Sequence, residues 1–322
     1  MTHPQQRILV IRAGALGDLV MCGPAFAAIR AAHPGAEIAL MTRAPFADFA
    51  RAMPWFDRVI VDTHPGAWQW RGWARLIRAI REFGPDRVYD LQGKRRQSIL
   101  YALLGGRRFG PAWSGAARGC AFPRVWPPQP GMHFMDFLAA QLKVAGVGPA
   151  PRVDFGWMDA PPEALSKFAL PPEYVVLVPG CTPKAMYKRW PPEKYADFAN
   201  RLQARGVPCV AVGAASDGDA VAAIRKTAPH VVDLSGRTDL FELAGILRGA
   251  SCVVGNDTGP VHMAGAAGVP TLAVLSGRTD PVWSRPPGDR VVWRQAVELA
   301  ALSVDEVWFA MVLLLQHTKN KG

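Results

Sequence analysis

The stretch Gly255-Asn-Asp-Thr-Gly-Pro-Val-His262 decides the fold of this chain. A largely apolar run, residues 251–254, precedes it, and a run of small residues typical of a helix, 263–268, follows it. A strand, a turn of Gly, Asp and Thr, and a helix N-terminus make an anion site in many α/β proteins, because free backbone N–H groups and the positive helix end face the ligand. The stretch therefore predicts a nucleotide-phosphate site; a capped helix with a packed His262 is the alternative.

The length and composition indicate a cytoplasmic protein of two domains. The chain has 322 residues, and half of them are hydrophobic, which is enough for two cores of ordinary size. No uncharged apolar window reaches the ~20 residues that span a bilayer, and the N-terminus does not resemble a secretory signal. The five cysteines form no Cys-x-x-Cys pair. We therefore expect buried free thiols in a reducing compartment, without a zinc site or disulfides.

The net charge is strongly positive, +11 at pH 7, with a pI near 9.8. Such a charge favours anionic partners. The basic residues form no single run and no nucleic-acid-binding motif, so we expect no nucleic acid partner. A nucleotide, a phosphorylated glycolipid or an anionic membrane face would each suit the charge, and general solubility is the plainer explanation.

Predicted strands alternate with predicted helices along the whole chain. The predicted strands are 7–12, 37–42, 58–62, 86–91, 174–178, 208–212, 230–233, 251–254 and 271–275. The predicted helices are about 19–32, 68–83, 134–145, 192–205, 219–227, 239–247 and 304–316. This alternation indicates parallel sheets with helices on both faces. Residues 110–130, rich in Pro, Gly, Trp and Arg, predict an irregular loop.

The alternation occurs in two consecutive halves, which predicts an α/β fold of two facing Rossmann-like domains with an interdomain cleft. Ligands of such sheets bind beyond the carboxyl ends of the strands. The predicted parts are an N-terminal domain at 1–155, a Pro-rich linker at 156–172, a C-terminal domain at 173–302 and a C-terminal helix and tail at 303–322. Asp305 and Glu306 suit the first turn of a packed terminal helix. A helix that lies on a membrane is the alternative.

Four motifs occur in one order along the chain. They are Arg12-Ala-Gly-Ala-Leu-Gly-Asp18, Asp90-Leu-Gln-Gly93, Pro179-Gly180 with Lys188-Arg-Trp-Pro191, and Gly255–His262. Together they resemble glycosyltransferase family 9, the ADP-heptose:lipopolysaccharide heptosyltransferases, over about residues 7–315. The resemblance implies the GT-B fold, inversion at the anomeric carbon and no metal or other cofactor. It also assigns the acceptor to the N-terminal half and the nucleotide sugar to the C-terminal half.

The resemblance implies roles for residues on either side of the reaction. Asp18 matches the catalytic base, since an attacking hydroxyl must lose its proton to a carboxylate; capping of the following helix is the alternative. Lys188 matches the lysine that stabilises charge on the departing diphosphate, and a solvated loop cation is the alternative. The other donor-binding residues implied are Thr182, Thr238, Leu240, Asp257, Thr258, Gly259 and His262.

The acceptor side is implied by residues beyond the strand ends of the N-terminal half. These residues are Gly17, Gln92, Lys94, Arg95, Arg96 and His133. Clustered lysine and arginine suit the carboxylates and phosphates of a lipopolysaccharide inner core, whereas a solvated helix start is the alternative. Gly14 stands where many relatives carry Ser or Thr. Asp217-Gly-Asp219 imitates a metal-binding motif of other glycosyltransferases, and we interpret it as helix capping.

The sequence thus predicts an inverting, metal-independent transfer of heptose, or a related sugar, from an ADP-sugar to a lipopolysaccharide core acceptor. The protein is expected to be cytoplasmic, with peripheral contact to the inner membrane as a further possibility. A sugar-nucleotide epimerase of similar fold and a non-catalytic nucleotide-binding module are the alternatives. A nicotinamide-dependent oxidoreductase fits less well, because the turn at 13–18 matches Gly-x-Gly-x-x-Gly only loosely.

Overall fold

The computed structural model describes residues 5–319 of the chain. The chain divides between Trp157 and Met158 into two compact units. Each unit contains one six-stranded parallel sheet, and helices connect successive strands except β5 and β6, which a short loop joins. This confirms the predicted class of two Rossmann-like α/β domains with parallel sheets.

The first sheet has the strand order β3-β2-β1-β4-β5-β6. Its strands are β1 (Arg7–Ile11), β2 (Glu37–Arg43), β3 (Arg58–Asp62), β4 (Arg87–Asp90), β5 (Ala112–Gly115) and β6 (Phe122–Pro123). Residues 8–11 of β1 are fully buried, because a central parallel strand is covered on both faces. The parallel register of β1 with β4 pairs Ile11 with Asp90, so the residues that follow these two strands are neighbours.

Seven α-helices lie within residues 5–157. They are α1 (Leu16–Met21), α2 (Gly23–Ala32), α3 (Ala47–Arg51), α4 (Trp70–Phe83), α5 (Arg95–Leu103), α6 (Gly106–Phe109) and α7 (Phe134–Val144). The amphipathic helix α4 buries Leu76, Ile80 and Phe83 and ends at Gly84, whose positive φ of 62° suits a glycine C-cap.

The second sheet has the strand order β12-β11-β10-β7-β8-β9. Its strands are β7 (Val175–Val178), β8 (Cys209–Ala211), β9 (Val232–Asp233), β10 (Cys252–Asn256), β11 (Thr271–Ser276) and β12 (Val291–Ala296). The helices of this unit are α8 (Pro162–Leu165), α9 (Pro192–Gln203), α10 (Gly218–Thr227), α11 (Leu240–Arg248), α12 (Gly259–Ala266), α13 (Pro281–Ser284) and α14 (Val304–Lys319). Here β7 and β10 are the adjacent central strands.

Three predictions of local structure were wrong. The expected irregular loop at 110–130 contains β5 and β6, because the buried Trp113 and pairing to β4 outweigh the local Pro and Gly content. The helix predicted at 19–32 is two helices that meet at Cys22. The edge strand β12 was missed, and its register against β11 is what defines it.

The segment predicted as a linker, 156–172, folds against the second unit from Met158 onward, whereas Trp157 packs on Phe49 and Trp55 of the first unit. Lys167 Nζ lies 2.5 Å from Glu242 Oε1 of α11, and Arg248 Nε lies 2.5 Å from Asp159 Oδ1. Met158 and Phe168 are buried. The segment therefore packs on α11 over much of its length.

Helix α14 packs on the second unit through Val307, Met311 and Leu314, which are buried. This agrees with a packed terminal helix; residues 320–322 of the predicted tail lie outside the described residues. All five cysteines are buried free thiols, as predicted. None of the helices within residues 5–319 combines the length and apolar character that crossing a bilayer requires.

Candidate active site

The predicted site residues lie beyond the carboxyl ends of the central strands in each unit. In the second unit, the loop after β7 carries Lys188, and the turn after β10 carries Asp257. In the first unit, Asp18 follows β1 and Gln92 follows β4. Ligands of parallel α/β sheets bind at this edge, so each unit has a candidate site in the expected position.

The centre of the second-unit site is a buried carboxylate between two donors. Lys188 Nζ donates to Asp257 Oδ2 across 2.6 Å, and His262 Nε2 lies 3.1 Å from Asp257 Oδ1. The side chain of Asp257 is 4% exposed, against 26% for Lys188. Both carboxylate oxygens are therefore occupied within the protein, whereas the Lys188 side chain remains partly exposed.

Two neighbours fix the ionisation of Asp257. Burial alone would raise the pKa of this carboxyl group, but His262 and Lys188 outweigh the burial, so that the pKa of Asp257 lies below its ordinary value. Asp257 is thus a carboxylate at neutral pH and orients Lys188 by a short charge-assisted hydrogen bond.

The helix that begins at Gly259 offers an uncapped N-terminus. The hydroxyl of the N-cap residue Thr258 donates to Asn256 C=O across 3.2 Å, and α12 has no side-chain cap. Backbone N–H groups of such an end are natural anion donors. The alternative that the turn only caps a helix therefore does not describe Thr258.

Asn256 holds the two strand-end loops of the second unit together, although the sequence did not single it out. It is fully buried, and its Nδ2 donates to the carbonyl groups of Pro179, at 2.8 Å, and Gly180. Its Oδ1 accepts from Trp190 N–H and Tyr195 O–H, both at 3.0 Å. A polar residue at the end of an otherwise apolar strand was the available signal. Asn256 thereby positions the loop that carries Lys188.

The remaining predicted donor residues lie further out. Thr182 is exposed at the start of the 3₁₀ turn Pro183–Lys188. Thr238 is half-buried and precedes Asp239, which caps α11, and Leu240 is the first residue of that helix. Their side chains make no contact with Lys188 or Asp257 among the described hydrogen bonds and ion pairs.

The Asp217-Gly-Asp219 stretch serves local structure. Asp217 Oδ2 accepts from Ala214 N–H at 2.9 Å, and Asp219 pairs with Arg189 at 3.0 Å. Gly180 lies so close that a Cβ atom there would meet Asp217 Oδ2 at 2.4 Å. The two carboxylates thus cap a turn and hold Arg189, which agrees with the capping interpretation.

In the first unit, Asp18 is the third residue of α1 and is partly open to solvent. Its Oδ1 lies 3.0 Å from Arg12 Nη2, and its Oδ2 accepts from Ala15 N–H at 3.2 Å. Arg12 is buried, donates to Leu91 C=O at 2.6 Å and lies over the Phe134 ring at 5.0 Å. The Asp18 side chain is 38% exposed. Asp18 therefore caps its helix and also presents a carboxylate outward.

Glycine at position 14 matches the placement of Asp18. A Cβ atom on Gly14 would meet Asp18 Oδ2 at 2.3 Å, closer than any packed contact allows. A serine or threonine here would push the carboxylate away from its present position. The departure from the family pattern thus bears directly on the candidate base.

The turn Asp90–Gln92 is hydrogen-bonded to the loop that carries Asp18. Gln92 Oε1 accepts from Ala13 N–H at 3.1 Å, which ties the loop after β4 to the loop after β1. Asp90 Oδ1 accepts from the N–H groups of Gln92 and Gly93. Asp90 is completely buried, and this burial raises its pKa to about 6.

The predicted acceptor residues divide into exposed and engaged groups. Lys94 and Arg95 are exposed. Arg96, by contrast, pairs with the buried Asp62 at 2.8 Å and lies 4.1 Å over the Trp73 ring.

Two further predicted acceptor residues belong to helices of the first unit. His133 is buried and caps α7, its Nδ1 accepting from Met135 N–H at 3.1 Å. Gly17 is buried within α1. His133 therefore stabilises the start of a helix, and Gly17 packs inside one.

Comparisons with known proteins agree with the motifs. The model of glycosyltransferase family 9 (heptosyltransferase) matches residues 73–301. The chain is 26% identical to lipopolysaccharide heptosyltransferase 1 of Pseudomonas aeruginosa over 85% of this chain and 79% of that protein. It is 33% identical to lipooligosaccharide heptosyltransferase 2 of Haemophilus influenzae, where the aligned segment covers 34% of this chain and 33% of the relative.

A solved structure shares the fold. The structure of ADP-heptose lipopolysaccharide heptosyltransferase II of Escherichia coli superposes with a TM-score of 0.79 and 22% identity, over 98% of this chain and all of the other. The family model matches well over half of the residues. The chain therefore belongs to glycosyltransferase family 9, and its enzyme class is the one that the motifs predict.

Proposed function

We propose that this protein transfers heptose from ADP-heptose to a lipopolysaccharide inner-core acceptor, with inversion and without a metal ion. The observation that carries the proposal is that each unit presents a suitable group at its own strand ends: the open carboxylate of Asp18 in the first unit and, in the second unit, Lys188 oriented by Asp257. Relatives named as lipopolysaccharide heptosyltransferases support the choice of sugar and acceptor. The proposed place of action is the cytoplasm, where nucleotide sugars are available.

The first unit supplies the base in this proposal. The acceptor hydroxyl attacks the anomeric carbon, and its proton passes to the Asp18 carboxylate as the new C–O bond forms. Arg12 and Ala15 N–H hold the carboxylate in one orientation. A single displacement of this kind inverts the configuration of the anomeric carbon.

The second unit supplies the contacts to the leaving group. As the bond from the sugar to ADP breaks, negative charge grows on the diphosphate and must be stabilised. Lys188 has three N–H donors, of which Asp257 occupies one, so it can hold Asp257 and a phosphate oxygen together. The uncapped N-terminus of α12 adds backbone donors and a positive dipole end.

The donor and the metal requirement are tested by one binding panel. Thermal shifts with ADP-heptose, UDP-sugars and GDP-sugars, each measured with and without EDTA, should show a shift that is selective for ADP-heptose and unchanged by EDTA. Equal shifts with all nucleotides, or a shift that EDTA removes, would contradict the proposed donor or the absence of a metal.

The base is tested by Asp18→Asn, with Asp48→Asn as the matched control on an exposed carboxylate. Transfer to a heptose-free inner-core acceptor should fall about 10²–10⁴-fold in Asp18→Asn and stay unchanged in the control. The anomeric configuration of the wild-type product, read by NMR, should be inverted. Full activity of Asp18→Asn would remove Asp18 from the reaction.

A further inference from the structure

Almost all of the net positive charge of the chain lies in the first unit. Residues 1–157 hold 20 of the 37 lysines and arginines and 10 of the 26 acidic residues, which is a net charge of +10. Residues 158–322 carry the remaining +1. The second unit, which holds the candidate nucleotide-sugar residues, therefore does not account for the basic character of the protein.

Part of this charge forms a surface with two exposed tryptophans. Trp68 is 95% exposed and Trp70 is 68% exposed. Arg71, Arg75 and Arg78 are also exposed and are spaced four and three residues apart, so they lie along one face of α4. We call these five residues the α4 surface.

Within the described part of the chain, the arginines of the α4 surface do not hold the fold together through ion pairs. Among residues 5–319, none of the three forms an ion pair with a carboxylate, in contrast to Arg96, which pairs with Asp62. Arg71 lies over the Trp70 ring at 5.1 Å. The one acidic residue of α4, Glu82, follows Arg78 by one turn and is also exposed, but no ion pair joins it to the three arginines among the described residues. Three free guanidinium groups thus remain for an external anion.

The α4 surface continues onto α5. Arg81 donates to Leu103 C=O at 3.1 Å, and Leu103 is 43% exposed. A shallow groove between the two helices is lined by Arg78, Leu103 and their neighbours. Apolar and cationic groups are therefore mixed over this face.

We propose that the α4 surface docks the protein onto an anionic lipid bilayer. Tryptophan is favoured at the boundary between headgroups and acyl chains, since its ring is apolar and its N–H is polar. Clustered arginines are attracted to anionic headgroups and bind their phosphates with paired N–H donors. Because Leu76, Ile80 and Phe83 face the core, α4 itself does not embed; Trp68 and Trp70 insert.

This docking deepens the proposed function, because a glycolipid acceptor lies in a bilayer, and its test needs neither donor nor acceptor. Co-sedimentation is measured with phosphatidylcholine vesicles, with and without phosphatidylglycerol. The wild-type protein should bind only the anionic vesicles, and added salt should weaken the binding.

Two variants test the surface itself. Arg71→Gln/Arg75→Gln/Arg78→Gln should lower vesicle affinity on the order of 100-fold, and Trp68→Ala/Trp70→Ala should lower it by about 10-fold or more. The matched control, Arg225→Gln/Lys226→Gln/Phe309→Ala, removes exposed residues of the second unit and should bind as the wild-type does.

Three results would overturn the docking proposal. The first is that the wild-type protein does not bind anionic vesicles, and the second is that the surface and control variants lose vesicle affinity equally. The third is that the arginine variant binds vesicles as the wild type does but no longer transfers sugar to a water-soluble acceptor, which would make the surface a carbohydrate-binding site. Transfer to that soluble acceptor by the arginine variant at the wild-type rate is the result expected. Failure of docking would leave the Asp18 test standing.

Discussion

The carboxylates of the two strand-end sites differ in their exposure to solvent. Asp257 in the second unit is 4% exposed and has both oxygens paired, to Lys188 and His262. Asp18 in the first unit is 38% exposed, although its two oxygens are also held, by Arg12 and by Ala15 N–H. A buried and paired carboxylate is a fixed negative charge that orients its lysine, whereas an open one can approach a substrate and take a proton. Similar strand–turn–helix geometry thus suits the proposed donor binding in the second unit and the proposed base in the first.

The support beneath the two sites also differs. Asn256 joins the second-unit loops by neutral hydrogen bonds that are complete on both sides of its amide. The corresponding buried residue of the first unit, Asp90, is ionisable, and its Oδ2 has no hydrogen-bond partner among the described residues. The residue that supports the first site is therefore titratable, whereas Asn256 is not.

After Asp18→Asn, the largest expected effect is that of Lys188→Met, with Lys184→Met, an exposed neighbour, as the control. Removal of the lysine should lower kcat by about 10²–10³-fold, as loss of a preorganised donor to developing charge does. It should also lower the free energy of unfolding by about 2 kcal/mol, because Asp257 loses a charged partner. Kinetics and urea unfolding measure the two effects; equal behaviour of both variants would break the assignment.

The next effect is on stability, from Asn256→Ala. The substitution leaves Pro179 C=O, Trp190 N–H and their neighbours without partners, and should lower the free energy of unfolding by about 3 kcal/mol. The control Asn200→Ala, which loses one exposed hydrogen bond to Thr227 C=O, should cost under about 1 kcal/mol. Equal costs, measured by urea unfolding, would show that Asn256 does not fix the loops.

Asp90→Asn tests whether the buried carboxyl group of the first unit makes the stability of the protein depend on pH. In the folded state the pKa of Asp90 is raised to about 6 from 3.8, so the native protein holds a proton that the unfolded chain has lost between these values. The contribution of Asp90 to stability is therefore complete below about pH 4 and falls as the pH rises through about 6.

Asparagine lacks this titration. The free energy of unfolding of Asp90→Asn, relative to wild type, should therefore rise by about 2–3 kcal/mol between about pH 4 and pH 7. Urea unfolding of both proteins across this range measures the difference. A difference in the free energy of unfolding that does not change with pH would show that burial does not raise the pKa of Asp90.

The sequence was sufficient for the central strands and for both strand-end turns, because apolar runs followed by Gly and Asp leave few local alternatives. It was insufficient for β5, β6 and β12, whose strand state depends on pairing with neighbours distant in sequence. It singled out Asp18, Lys188 and Asp257 as candidates but could not show which carboxylate is open. It also could not foresee that Arg96 is held by Asp62 and Trp73, since burial of one ion-pair partner is a tertiary property.

The division of roles between the two sites is tested most directly by measuring donor affinity and turnover together for Asp18→Asn and Lys188→Met. Calorimetric titration with ADP-heptose should give wild-type affinity for Asp18→Asn, whose transfer is nevertheless lost. Lys188→Met should bind the donor at least about 10-fold more weakly, as expected when a charged hydrogen bond to phosphate is removed. Loss of donor affinity in Asp18→Asn, or unchanged affinity in Lys188→Met, would contradict the division.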